Sequence, residues 1–210
     1  IRSQDIDLVN SSANFILETD SLREFIAFNG NLFLTPTSEG FISNQNIHGS
    51  IGQPDLVIIA PPSFMGEASR LGSFREANDG LDVAVISTIS VYNEFSSGVQ
   101  DITAIKDLMR LLYNRATDST ELPRYLLLFG DGSYDNLDRI SENTNFVPTY
   151  QSNNSHSPMF TYVSDDFFGL LDDSEGEGAN EFLDIGIGRI PVRSVDAAKD
   201  IVDKLLHYSS

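Results

Sequence analysis

The sequence contains no cysteine among its 210 residues. A disulfide framework, a thiolate metal site and a cysteine nucleophile are therefore excluded within these residues. Basic residues are also scarce, since 13 Lys and Arg stand against 31 Asp and Glu and give a formal net charge of −18. Proteins bind nucleic acids through clustered basic side chains. Because the sequence has no such cluster, nucleic acid is not expected as a partner.

Long apolar runs are absent too, and none approaches the roughly 20 residues that a membrane-spanning helix needs. The first residues, IRSQDIDLVN, lack the apolar segment of a signal peptide and do not begin with Met. The last residues, KLLHYSS, stop where a predicted helix closes. The sequence therefore predicts a fragment of a longer protein, large enough for one domain or for one domain with part of another.

Residues 1–50 predict a β-rich segment, interpreted as the tail of a preceding β domain. Short apolar stretches at residues 15–17, 25–28 and 32–34 are separated by turn residues. Asn29-Gly30 between two of these stretches is a strong hairpin signal.

Residues 51–210 predict an α/β domain with a parallel, doubly wound sheet. Apolar runs at residues 55–60, 81–87 and 125–129 are typical of strands that are buried on both faces. Apolar residues at helical spacing predict three helices between and after these strands. One covers residues 63–78, one begins after an N-cap at Asp101, and one begins at about Ser194. The order β-α-β-α-β implies right-handed crossovers and a parallel sheet.

Three connections complete the predicted domain. Residues 92–98, YNEFSSG, are predicted to form a loop at the same sheet edge as the loop after the third strand, because both follow the carboxyl ends of strands. Residues 137–160 predict a long surface loop. Residues 162–173 and 184–192 predict a β-hairpin added to the sheet.

The segment LLFGDGSYDN, residues 127–136, allows a serine-hydrolase interpretation. It differs from the Phe-Gly-Asp-Ser block of GDSL-type hydrolases by one inserted glycine, Gly132. A nucleophilic Ser133 would need a histidine base within hydrogen-bond reach. The late candidate, His207, follows Asp203 with one residue more than the hydrolase pattern has. Both the inserted Gly132 and the Asp203–His207 spacing depart from the hydrolase pattern and therefore argue against this interpretation.

The same segment allows a calcium-loop interpretation. Asp131, Ser133 and Asp135 have the spacing of EF-hand positions 1, 3 and 5, but Asn136 stands where glycine is required and a strand precedes the loop. No cofactor is required, and a structural Ca²⁺ ion remains open. Its candidate ligands are Asp131, Asp135, Asp165, Asp166, Asp172 and Asp173.

A third interpretation is structural. Gly130 and Gly132 permit a sharp turn at the end of the strand, and Asp131 and Asn136 can hydrogen-bond to nearby backbone groups. This interpretation explains most of the loop without any chemistry.

Several motifs in one order resemble a known family, the gingipain-type cysteine peptidases, and within it the sortases of the type IX secretion system of Bacteroidetes. The motifs are NQNIHG, YNEFSSG, QDITAIKDLMRLLYN, YLLLFGDGSYDN, VPTYQS, SDDFFGLLDD and DIGIGRIPV, which lie between about residue 40 and residue 210. The resemblance implies a caspase-like α/β peptidase domain of two subdomains. It also implies removal of C-terminal signals from exported cargo.

The resemblance places the catalytic residues elsewhere. In that family a Gly-His-Gly segment supplies the histidine and a later strand-end Cys is the nucleophile, both downstream of the helix that matches residues 194–208. This sequence contains neither, so no catalytic residue is assigned. The leading hypothesis is a non-catalytic first subdomain of a peptidase or sortase at the bacterial cell surface, associated with the outer membrane.

The partners that the resemblance implies are the downstream catalytic subdomain, secreted cargo proteins and other type IX secretion components. Two alternatives stay open. One is a degenerate binding or scaffold module of the same family, and the other is the GDSL-like hydrolase that uses Ser133.

Overall fold

The computed structural model describes residues 22, 24–26, 33–38, 40–154, 156–173, 175–176 and 181–209. The chain forms two units, residues 1–42 and residues 43–210. The apolar stretch at residues 15–17 and the predicted turn at Asn29-Gly30 lie outside the described residues. The described residues before position 47 carry no helix or strand, and the first element among the described residues is the short helix α1 (Ile47–Ser50). The predicted domain boundary after residue 50 stays a prediction.

A four-stranded parallel sheet forms the centre of the second unit. Its spatial order is β2-β1-β3-β6, and every neighbouring pair is parallel. The strands are β1 (Leu56–Ala60), β2 (Val83–Ser87), β3 (Tyr125–Phe129) and β6 (Gly186–Ile190). The three predicted strands are confirmed, and a fourth joins them beside β3.

Helices cover both faces of the sheet. A short 3-10 helix (Pro62–Phe64) leads into α2 (Met65–Asp79), which shares one face with α5 (Val195–Ser209). The opposite face carries α3 (Thr88–Phe95) and α4 (Ile102–Arg115). This is the predicted doubly wound architecture, in which crossovers alternate between the two sides.

Strand β1 shows why its sequence is apolar without alternation. Val57 and Ile59 belong to the core under α3 and α4, whereas Ile58 and Ala60 belong to the core under α2 and α5. All four side chains are completely buried. A strand that is buried on both faces has no position for a polar residue, and this explains the continuous apolar run.

One predicted loop is a helix. Residues 92–95 of the YNEFSSG segment form the last turn of α3, which begins directly after β2. Ser87 caps this helix, since its hydroxyl accepts a hydrogen bond of 3.1 Å from the Ser90 N–H. Val91 and Tyr92 are buried against α4, so tertiary packing stabilises a helix of only eight residues.

The antiparallel hairpin exists, but its strands differ from those predicted. β4 (Tyr150–Gln151) pairs with β5 (Val163–Ser164), so one arm comes from the segment that was predicted as a surface loop. The other predicted arm, residues 184–192, contains β6 and joins the parallel sheet instead. All five residues of β6 pair with β3, from Gly186 beside Tyr125 to Ile190 beside Phe129.

Across the described residues, no helix is both long enough and apolar enough to cross a membrane.

Candidate functional site

The candidate site lies at the carboxyl edge of the parallel sheet. Here β3 runs into the GDGSYDN loop, residues 130–136, and the α3–α4 connection ends at Gln100. Gln100 and Asn136 line the same cleft, so the α3–α4 connection and the GDGSYDN loop share one edge. Loops at this edge of open α/β sheets commonly form binding sites.

The GDGSYDN loop begins as a continuation of the sheet. The Gly130 N–H donates to the Ile190 carbonyl (2.9 Å) and the Asp131 N–H donates to the Val192 carbonyl (3.0 Å). Gly130 has a φ of 154°, and a Cβ at this position would lie 3.0 Å from Val147 Cγ2. The close approach of the neighbouring loop therefore requires glycine here.

Arg189 connects β6 to three loops at this edge. Its guanidinium donates to both carboxylate oxygens of Asp165 at 2.7 Å. It also donates to the carbonyls of Gly130 (2.9 Å), Val147 (2.7 Å) and Pro148 (3.1 Å). A planar guanidinium can make these five hydrogen bonds at once, whereas a lysine ammonium cannot. Arg189 thus fixes the loops relative to the sheet.

Asp135 organises the distal half of the GDGSYDN loop. Its carboxylate accepts hydrogen bonds from the N–H groups of Arg139 (2.5 Å) and Ile140 (2.8 Å), and its side chain is buried. The Ile140 N–H lowers the pKa of this carboxyl, burial opposes that effect, and the Arg139 N–H adds to it. The carboxylate therefore stays ionised and acts as a turn-forming acceptor.

The six aspartates named as calcium candidates do not share one site. Four of them form ion pairs with arginine: Asp131 with Arg193, Asp135 with Arg139, Asp165 with Arg189 and Asp173 with Arg110. Asp166 begins a 3-10 helix (Asp166–Gly169). Each arginine offsets the charge that would otherwise attract a cation. Calcium binding by this set stays a prediction, and Asp172 is the member for which the geometry is most suitable.

Asp172 belongs to an acidic triad with Glu175 and Asp184. Oxygen atoms of the three carboxylates lie within 4.8 Å of one another, a spacing that fits a hard cation with oxygen ligands. The Tyr113 hydroxyl lies 3.4 Å from both Asp172 and Asp184. Burial raises the pKa of Tyr113, and the two carboxylates raise it further. In the described part of the chain this triad is the group with metal-ligand spacing, although exposed carboxylates often meet in this way without an ion.

Ser133 is held by main-chain and carboxamide groups. Its hydroxyl accepts from the Asp135 N–H (3.1 Å), its own N–H donates to Asn145 (3.0 Å), and its carbonyl accepts from Gln151 (3.2 Å). Over the described residues, no histidine is hydrogen-bonded to Ser133. The serine-hydrolase interpretation therefore lacks the base that a serine nucleophile needs.

His48 and Glu94 form a junction between α1 and α3. The Glu94 carboxylate accepts from the N–H groups of Ile47 (2.6 Å) and His48 (2.7 Å), and His48 Nδ1 lies 2.5 Å from it. Burial acts to raise the pKa of Glu94, but the hydrogen bonds from His48 and Ile47 outweigh it and lower the pKa. The histidine ring stacks on Phe95 at 4.6 Å. This pair therefore fastens α1 to α3.

The cleft between the two loops has a polar, amide-rich wall. Its larger part has a volume of about 240 Å³ and its neighbour about 160 Å³, with Gln100 and Asn136 common to both. The larger part is lined by Gln100, Asn136, Asp138, Asn143, Asn145 and Phe146. The sequence analysis missed Asn143 and Asn145 because they lie in the segment predicted as a plain surface loop. The run Asn143-Thr144-Asn145 is the signal that could have identified them.

Comparison with known proteins identifies the family. The family model for peptidase family C25 matches residues 50–210. The chain belongs to peptidase family C25. This is a family of cysteine peptidases. The matched residues include the whole parallel sheet and the GDGSYDN loop.

Solved structures agree with this assignment. This chain is similar to dimeric latent PorU from Porphyromonas gingivalis, with 36% sequence identity and a TM-score of 0.68 over 80% of its length. Two others share the fold: the complex of RgpB pro- and mature domains from Porphyromonas gingivalis (18% identity, TM-score 0.52) and another protease (20% identity, TM-score 0.51), each over 73% of this chain. No curated protein matches. The chain spans 16% of the PorU chain and 28% and 27% of the other two.

Proposed function

We propose that this chain is the first α/β subdomain of a C25 cysteine peptidase and that it acts without contributing a catalytic residue. Its role is to provide a rigid edge beside which the remaining part of the peptidase places its histidine and cysteine. The observation that carries this proposal is the 36% identity with PorU over 80% of a chain that itself contains no cysteine. A thiolate mechanism cannot operate within these residues alone.

The contacts at the carboxyl edge support a positioning role. Arg189 holds Asp165 together with the backbone of Gly130 and Val147, and Asp135 closes the neighbouring turn. These polar groups hydrogen-bond to one another and hold the loops of this edge in place. Catalytic groups need such supporting structure, because an error of about 1 Å in their placement can cost 10²-fold in rate.

The finer proposal is a peptidase of the sortase kind, which removes C-terminal signals from cargo of a type IX secretion system at the surface of a Bacteroidetes cell. Its partners are then the catalytic subdomain of the same protein, secreted cargo and other secretion components. The level of identity with PorU supports this assignment more than the gingipain likeness does, since the RgpB match is at 18% identity and carries the fold alone.

An activity assay on the 210-residue chain tests the proposal. The chain, incubated with fluorogenic peptides, is expected to show no turnover, and Ser133→Ala is expected to leave any residual esterase signal unchanged. Peptide cleavage that co-purifies with the chain and is unaffected by a thiol reagent would contradict the proposal, because the chain itself contains no cysteine for the reagent to modify. Loss of an esterase signal in Ser133→Ala would instead support the hydrolase alternative.

The sequence of the whole protein separates the peptidase from a degenerate scaffold module. A Gly-His-Gly segment and a strand-end cysteine in the remaining part are expected. If both are missing from the whole protein, the chain is a binding or scaffold module of family C25.

A further inference from the structure

The turn that follows the GDGSYDN loop presents an arginine to solvent. Residues 137–143 contain no helix or strand, and the Arg139 side chain is 74% exposed. Leu137 and Ile140, close to it in sequence, are exposed as well. Exposed loop tips are the preferred sites of proteolytic cleavage, so an endopeptidase that cleaves after arginine can act at this turn.

The carboxylate of Asp135 holds this turn closed from the inside. Its Oδ2 atom accepts hydrogen bonds from the Arg139 N–H (2.5 Å) and the Ile140 N–H (2.8 Å), and Asp135 is buried. The Ile140 N–H lowers the pKa of Asp135, so the carboxylate is ionised at neutral pH. Cleavage between Arg139 and Ile140 requires the turn to open first, because a peptidase acts on the transiently opened form.

The contact with Asp135 distinguishes Arg139 from the other basic residues. Among the described lysines and arginines, Arg139 is the one whose following N–H donates to a carboxylate. After Arg124, by comparison, the Tyr125 N–H donates to the Asp55 carbonyl at 2.9 Å. A carbonyl carries no net charge, whereas an ionised carboxylate favours a cation beside it. Cleavage after Arg139 therefore creates a positive charge directly against a buried negative one.

We propose that the Arg139–Ile140 peptide bond is a processing site at which cleavage creates an ion pair between the new amino terminus of Ile140 and Asp135. Water adds to the Arg139 carbonyl carbon as its bond to the Ile140 nitrogen breaks, which leaves a carboxylate on Arg139 and an ammonium group on Ile140 at neutral pH. The Ile140 nitrogen already lies 2.8 Å from Asp135 Oδ2, so the ammonium group forms beside its counter-ion. This inference does not depend on the proposed function.

The sheet holds the two parts of a cleaved chain together. β3 lies before the cleaved bond and β6 lies after it, and the two strands pair along five residues. Arg189 adds a hydrogen bond from β6 to the Gly130 carbonyl. Cleavage therefore releases a loop end beside the cleft, which Asp138 lines, without separating the subdomain into two pieces.

The other groups around Asp135 do not titrate in the range of an amino group. The described side chains that contact Asp135 are Ser133, Arg139, whose Nε lies 3.4 Å from Oδ1, and Asn143, which donates to the main-chain carbonyl. None of them changes charge between about pH 6 and pH 10. A titration of the new amino group of Ile140 over this range thus reports on its contact with Asp135.

Limited trypsin digestion of the 210-residue chain, stopped with an inhibitor, tests the proposal. A fragment that begins at Ile140 is expected by mass spectrometry, and it should co-elute with the preceding residues in gel filtration although the two separate on a denaturing gel. Arg139→Gln is expected to abolish this fragment. Asp135→Ala removes the acceptor of both N–H groups and is expected to speed cleavage at this bond roughly tenfold.

The decisive measurement is the pKa of the new amino group, followed by competitive acetylation of the cleaved chain from pH 6 to pH 10. The ion pair with Asp135 is expected to raise this pKa by about one unit above the ordinary range of about 7.7–8.0. Asp135→Asn keeps an oxygen for the two N–H groups but loses the charge, so the pKa in its cleaved form should be ordinary. Asp138→Asn makes the same change of charge in the same turn and should behave like the parent chain.

Three results would overturn the proposal. The first is a parent chain that yields no fragment beginning at Ile140 under conditions that cleave Asp135→Ala. The second is a pair of fragments that separate in gel filtration. The third is an amino group whose pKa is the same in the cleaved parent chain and in cleaved Asp135→Asn. None of these results bears on the absence of turnover by the chain.

Discussion

Arg189 offers the sharpest test of how the carboxyl edge is held. The change Arg189→Met keeps an unbranched side chain of similar length and removes all five donated hydrogen bonds. Asp165 then keeps its charge in a largely buried position without its cation, and three carbonyls lose a donor. The side chains of Arg189 and Asp165 are 14% and 24% exposed, so water can replace only part of these contacts.

The expected loss follows from this burial. Removing one partner of a buried ion pair costs about 3–5 kcal/mol in the free energy of unfolding. Because Asp165 retains some exposure, we expect about 3 kcal/mol, the lower end of that range. For a unit of the size of residues 43–210, each 1 kcal/mol moves Tm by about 2–4 °C, so Tm should fall by roughly 6–12 °C.

Thermal melting followed by circular dichroism measures this change, with Arg75→Met as the matched control. Arg75 pairs with Asp79 one turn along α2, and exposed pairs of this kind contribute little to stability, so the control should move Tm by less than about 2 °C. Adding Asp165→Leu to Arg189→Met should recover part of the loss, because the unpaired carboxylate is gone. A variant Arg189→Met that melts within 2 °C of the control would refute the reasoning.

Three further predictions concern the same region. Gly130→Ala should lower the free energy of unfolding by about 1–3 kcal/mol, because φ at this position is 154° and the added Cβ would lie 3.0 Å from Val147. An unchanged midpoint in chemical unfolding would contradict this prediction and show that the loop moves to accommodate the methyl group. The pKa of Asp135 is lowered in the folded state. Its contribution to the free energy of unfolding is therefore fully present above the unfolded pKa of about 3.9 and is lost as pH falls through the folded pKa. The stability difference between the parent chain and Asp135→Asn, measured by urea unfolding, should therefore shrink from pH 6 to pH 2, and a constant difference would contradict this assignment. If the acidic triad binds Ca²⁺, millimolar calcium should raise Tm relative to a chelator in the parent chain but not in Glu175→Gln, and equal melting curves in the parent chain would remove the calcium prediction.

The first three strands of the central sheet were predictable because their signals are local. Each inner strand is a continuous apolar run of five residues, and only a strand buried on both faces tolerates that pattern at this length. The start of α4 was predictable for a similar reason. Asp101 accepts from the Thr103 N–H at 2.8 Å, so the cap and the helix that it begins are neighbours in sequence.

The contacts of the candidate site were not predictable in this way. Arg189 is a single basic residue in an otherwise apolar strand, and its acceptors lie between 24 and 59 residues away along the chain. Helix α3 was missed because its cap, Ser87, is also the last residue of β2, and because an eight-residue helix depends on burial of Val91 and Tyr92. Nonlocal packing decides both cases, and local patterns do not record it.

The bond between Arg189 and Gly130 also has a consequence for the order of folding. These residues are 59 positions apart, so the GDGSYDN loop emerges from the ribosome roughly 3–12 s before its anchoring strand, at 5–20 residues per second. Closing such a long loop is entropically costly, and the contacts that offset this cost form only when β6 pairs with β3. The edge that would shape the peptidase's cleft is therefore among the last parts of this unit to become ordered during synthesis.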